Sequence, residues 1–112
     1  MNRRPRAEDG LRREWVEITG RVQGVGFRAM VAEIALGRPV AGWVRNEPRG
    51  SVLMLLEAAE GDLDAFIEAI VQERATDIAG LDRRPVETGD AEKGPSGPLT
   101  GFSVKFNRLP GR

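Results

Sequence analysis

The chain has 112 residues, with 17 basic and 17 acidic side chains. That length fills one domain core, and the charge balance supplies no global field for nucleic acid, an anionic membrane or another charged partner. Cysteine, histidine and tyrosine are absent, which removes disulfides, thiolate metal sites, thiol and phenol nucleophiles, and the commonest general base and metal ligand. Carboxylates, Lys, Ser, Thr, Arg, Asn, Gln and backbone amides remain, and any anion site must be local.

The N-terminus, Met1-Asn2-Arg3-Arg4-Pro5-Arg6-Ala7-Glu8-Asp9-Gly10, is basic and then acidic. No apolar run follows that could form a signal segment or a membrane span. Residues 1–13 are expected to be a flexible tail, residues 14–108 one domain and residues 109–112 a C-terminal tail, in a cytoplasmic protein.

Over residues 14–22, Val16, Ile18 and Val22 keep to one parity with Glu17, Thr19 and Arg21 between them, the period of a half-buried strand. Gln23-Gly24-Val25-Gly26 interrupts it. Phe27, Val31 and Ile34 then share a helical stripe that Gly37 and Pro39 end. Residues 40–47 and 51–58 read as two strands joined by Pro48-Arg49-Gly50, a hairpin. Leu63, Phe66, Ile67, Ile70 and Val71 follow the amphipathic template of a helix over about 62–74. A strand around 81–88 carries Pro85 and so belongs at a sheet edge. Residues 88–101, rich in Gly and Pro, read as a loop, and Phe102, Val104 and Phe106 alternate as a last strand.

The order β-α-β-β-α-β, with one extra strand before the last, predicts an α+β, ferredoxin-like split βαβ sandwich. Its four- or five-stranded, mainly antiparallel sheet would carry two helices on one face. The third strand, Val52-Leu53-Met54-Leu55-Leu56, is apolar on both faces. A dimer partner, the N-terminal tail or the 88–101 loop is expected to cover it, or it simply exposes a few leucines. This architecture serves many functions, so the chemistry must come from a site.

Two glycines between a strand end and a helix start let successive amides turn toward one point, where helix N-terminal N–H groups add positive potential, a cradle for phosphate. Arg28, in the first helical turn, can reach over it with a planar fork of donors. Two other readings compete. Gly24 and Gly26 would serve equally in a plain tight turn beside an exposed arginine. Gly24-Val25-Gly26-Phe27-Arg28-Ala29 also fits the dinucleotide fingerprint G-x-G-x-x-G/A. Against the second, the following strands form a hairpin, and Glu47, the acid in the right neighbourhood, lies at its turn.

The stretch Gly20-Arg21-Val22-Gln23-Gly24-Val25-Gly26-Phe27-Arg28, followed by Gly42-Trp43-Val44-Arg45-Asn46 and Gly50-Ser51-Val52, resembles the acylphosphatase family, strongly over residues 15–74 and in outline beyond. The resemblance implies a ferredoxin-like hydrolase that splits acyl phosphates to carboxylate and inorganic phosphate by direct water attack, with no metal, cofactor or covalent intermediate. It assigns phosphate binding to Arg28 with the loop amides of Gln23, Gly24, Val25, Gly26 and Phe27, and placement of the nucleophilic water to Asn46. The resemblance also implies that the substrate phosphate takes the proton, so that no protein base is needed. A neutral amide suits Asn46's part, because it offers donor and acceptor to a water without repelling phosphate. Its plainer reading is an asparagine bonding its own turn. Trp43 reads as packing, and Arg45 shares its face of the strand, opposite Asn46, so both stay outside the site.

The family's usual Gly-Pro pair after the second helix is replaced by Glu73-Arg74-Ala75-Thr76-Asp77, and its glycine at the end of the third strand is missing near Ala58. Two further functions compete with the enzyme. One is a non-catalytic acyl or carbamoyl phosphate-binding module working with a partner protein, like the related domain of hydrogenase-maturation proteins. The other is an RNA-binding domain, for which four Phe and two Trp at core-like positions are poor material. The expected partner is a small acyl phosphate, with neither nucleic acid nor membrane. The expected state is a monomer, with a dimer through the apolar third strand as the alternative.

Overall fold

The computed structural model describes residues 10–86, 99 and 101–105. Residues 1–9, most of the 88–101 loop, Phe106 and the expected C-terminal tail lie outside them. The elements run β1 (Leu11–Gly20), α1 (Phe27–Ala35), β2 (Ala41–Asn46), β3 (Val52–Ala59), α2 (Glu60–Glu73), β4 (Ile78–Pro85) and β5 (Phe102–Lys105). They form one sheet in the order β4-β1-β3-β2-β5. All its neighbours are antiparallel except β2 and β5, which pair in parallel. This is the five-stranded, mainly antiparallel split βαβ arrangement that the element order predicts.

One parity of each central strand faces both helices. Val16 and Ile18 of β1, Val44 of β2, and Val52, Met54, Leu56 and Ala58 of β3 pack with Phe27, Val31, Leu63, Phe66, Ile67 and Ile70 in one core. The buried stripe of α1 runs through Phe27, Val31 and Ala35, whereas Ile34, assigned to it from spacing, packs at its margin. A nine-residue helix is too short to persist alone in water. It is held by those apolar contacts, each fully buried large side chain contributing about 1.5–3 kcal/mol.

The other face explains the doubly apolar third strand. Leu55 pairs with Trp15 on one side and Trp43 on the other, and it is 1% exposed. The two indoles meet edge to face, with ring centres 5.8 Å apart. Arg45 Cζ stands 4.9 Å and Lys105 Nζ 5.3 Å from the centre of the Trp43 ring. Leu55 thus finds apolar neighbours within its own sheet.

β1 and β4 both begin earlier than the sequence reading. β1 begins at Leu11, inside the expected tail, because residues 11–13 pair with β3 and the Arg13 guanidinium meets the Glu57 carboxylate at 3.0 Å. β4 begins at Ile78, because the Glu73-Arg74-Ala75-Thr76-Asp77 stretch closes a short turn. Its Asp77 N–H donates to Arg74 O (2.9 Å), and Asp77 O accepts from Arg21 N–H (2.8 Å). At the β4 edge Arg83 donates to both Glu14 oxygens, and this raises its already high pKa. Pro85 closes that edge strand, where its missing N–H costs no ladder bond.

Candidate active site

The loop between β1 and α1 owes its shape to its glycines. Gly24 and Gly26 have φ of 76° and 78°, and a Cβ at either position would meet nothing within 4 Å. The dihedral, not space, demands glycine there. Gly26 caps α1 with no side-chain hydrogen bond, and the first turn carries no acidic residue. The first amide to bond back into the helix is Met30 N–H, to Gly26 O at 3.0 Å. The amides ahead of it have no intrahelical acceptor, which leaves this end electropositive.

Against this loop lies a pocket of about 290 Å³, lined by Val22, Gly24, Gly26, Phe27, Arg28, Ala29, Asn46 and Val104. Arg28 enters from the first turn of α1, and its Nη1 donates to Lys105 O of β5 at 3.1 Å. Asn46 is the last residue of β2, half-buried opposite Val52, with its Oδ1 shielded from solvent. Val104 forms a wall because β5 lies beside β2.

Of the residues expected at the site, Gly24, Gly26, Phe27, Arg28 and Asn46 border this pocket together. Gln23 and Val25 are not in its lining. The Gln23 side chain turns toward the β2–β3 hairpin, donating from Nε2 to Glu47 O and Ser51 O, each at 2.8 Å. The Val25 carbonyl accepts from Arg74 Nη2 at 3.3 Å. Sequence reasoning did not name Val22, Ala29 or Val104 as walls, nor Arg74 and the Lys105 carbonyl as supports. Val22 and Ala29 adjoin the loop and could have been suspected; nothing local to Arg74, Val104 or Lys105 announces them.

Trp43 and Arg45 lie on the opposite face of β2, as their parity implies. The dinucleotide reading fails on topology, since both sheet neighbours of β1 run antiparallel to it, whereas that fingerprint needs a parallel βαβ unit. Glu47, the one acid offered for a ribose, holds Arg45 Nε at 2.6 Å.

A family model described as Acylphosphatase matches residues 15–102. The chain belongs to the acylphosphatase family. Acylphosphatases of Rhizobium etli and Bacillus subtilis are 44% and 42% identical to it over 78 and 74 residues, 62% of this chain in each case and 83% and 81% of theirs. That of Oceanobacillus iheyensis is 36% identical over 91 residues, 81% of this chain and 94% of its own. The crystal structure of the Bacillus subtilis acylphosphatase superposes with a TM-score of 0.70 at 30% identity, covering 85% of this chain and 98% of that one. HypF from T. kodakarensis gives 0.70 at 25% identity over 88% of this chain but 12% of its own length. The match to acylphosphatases therefore spans nearly their whole length, and the match to HypF a small part of it. Among the described residues of this acylphosphatase, no three His, Cys, Asp or Glu side chains gather as a metal site. No helix there is long and apolar enough to cross a membrane.

Proposed function

We propose that this acylphosphatase hydrolyses small acyl phosphates in the pocket between the glycine loop and the end of β2. The phosphoryl group is held by Arg28 and the amides of residues 23–27, and the attacking water is placed by Asn46. What supports this is convergence: the glycine loop, Arg28 and Asn46 belong to separate elements, yet all border one pocket.

The chemistry suits this donor set. The water oxygen attacks phosphorus as the bond to the acyl oxygen breaks, the carboxylate leaves with that electron pair, and the water's proton passes to a phosphate oxygen. A carboxylate is a good leaving group, so positioning and stabilisation of charge on the phosphoryl oxygens can carry the rate. A preorganised donor at developing charge is worth on the order of 10²–10³ in rate. An arginine at a transferring phosphoryl group is worth on the order of 10³–10⁵. No step needs a histidine, and the chain has none.

Benzoyl phosphate hydrolysis, followed by ultraviolet absorbance with excess chelator present, tests the proposal. The wild-type chain should turn over without added metal. Arg28→Ala should lose both turnover and inhibition by inorganic phosphate, while Asn46→Ala should keep the inhibition and lose turnover. Wild-type turnover in either variant removes that residue from its role. The same reading takes the enzyme as a cytoplasmic monomer, which cell fractionation and sedimentation would check.

A further inference from the structure

The geometry points to Gln23 as a positioning residue: its side-chain amide is a strut that sets the separation between the phosphate loop and the strand end carrying Asn46. This rests on the roles proposed above for the loop and for Asn46. Both contacts come from one half-buried nitrogen, Nε2, at 2.8 Å to Glu47 O and 2.8 Å to Ser51 O. An amide NH₂ has two hydrogens, so the strut uses both of its donors.

The acceptors are the two carbonyls that close the hairpin. Ser51 O already accepts from Glu47 N–H at 2.9 Å, and Glu47 O from Gly50 N–H at 3.0 Å. Each carbonyl has a second lone pair, and Gln23 takes it. The hairpin therefore closes on its own backbone bonds, and the glutamine adds a link across to the loop. Asn46 immediately precedes Glu47, and Gly24 immediately follows Gln23. A rigid link of this length holds both halves of the pocket in register, and a displacement of about 1 Å in such a site can cost on the order of 10²-fold in rate.

The test is Gln23→Met, close in volume but with no donor, made alone and with Asn46→Ala and assayed on benzoyl phosphate with inorganic phosphate as competitive inhibitor. Circular dichroism reports folding. In Gln23→Met, kcat should fall by about tenfold or more while the phosphate inhibition constant stays within about threefold. In the Asn46→Ala background the same change should cost less than about twofold, because a strut that works through Asn46 has nothing left to position. Unchanged kcat, losses that multiply across the two sites, phosphate binding that weakens in step with kcat, or a variant that no longer folds would each overturn the assignment. Asn46→Ala alone separates the two readings. Its wild-type turnover would sink the site itself, whereas its collapse beside an intact Gln23→Met would sink only the strut.

Discussion

Alanine at Gly26 and at Gly42 should differ severalfold in cost, because the two glycines are needed for different reasons. Both have positive φ, 78° and 146°. At Gly26 a Cβ would meet no heavy atom within 4 Å. At Gly42 it would clash with the carbonyl oxygen of Leu55 and lie 3.1 Å from Leu56 Cα, backbone atoms of the paired strand that cannot rotate aside. A left-handed alanine costs roughly 1–2 kcal/mol, of which about 0.4–1 kcal/mol is offset by the narrower unfolded ensemble. Gly26→Ala should therefore cost about 1 kcal/mol. Gly42→Ala adds an overpacking cost to its dihedral cost, each about 1–3 kcal/mol, for a total of about 2–6 kcal/mol. The latter is a large share of the roughly 5–15 kcal/mol that stabilises a typical domain.

Urea unfolding followed by tryptophan fluorescence measures both. With a slope of about 1–3 kcal/mol per molar urea, the Gly26→Ala midpoint should drop by roughly 0.3–1 M, and that of Gly42→Ala by about two to six times as much, with slopes unchanged. Equal costs at the two positions, or a Gly42→Ala chain within about 1 kcal/mol of wild type, would refute the close-approach argument. The Gly26 variant also tests the loop: a change that strains only the cradle should weaken inhibition by inorganic phosphate more than it lowers stability.

Arg28→Lys should recover little of what Arg28→Ala loses, staying on the order of 10²-fold or more below wild type in kcat/KM, because a point charge cannot reproduce the planar fork. A lysine variant within about threefold of wild type would contradict that. The chain has no histidine or cysteine, so kcat/KM between about pH 6 and 8 should follow only the ionisation of the substrate phosphate. A bell-shaped profile across that range would reveal a protein acid–base pair that the mechanism does not contain. Phe66 is fully buried and meets the Phe102 ring edge to face at 5.7 Å. Phe66→Ala should cost about 3–5 kcal/mol in thermal unfolding, and a loss under about 1 kcal/mol would mean that the core collapses around the gap.

Much of this was legible along the chain. The period-two alternation of Val16 and Ile18, the stripe from Leu63 to Val71 and the turn at Pro48-Arg49-Gly50 are local signals, set by which side chains can share a face. The glycine pair ahead of Arg28 is local as well, since a backbone dihedral and a helix end belong to a few consecutive residues. The family followed from those motifs together with Gly42-Trp43-Val44-Arg45-Asn46.

What no window of sequence contains is which strands become neighbours. Placing β5 beside β2 brings Val104 into the pocket wall and the Lys105 carbonyl to Arg28, residues 77 positions apart. Setting Trp15 and Trp43 either side of Leu55 gives the apolar third strand aromatic neighbours within its own sheet. The Gln23 contacts bridge 24 and 28 positions. Periodicity reports the face on which a side chain lies, whereas its partner is chosen by the packing of the whole sheet, where burial and hydrogen bonding across distant segments are satisfied together.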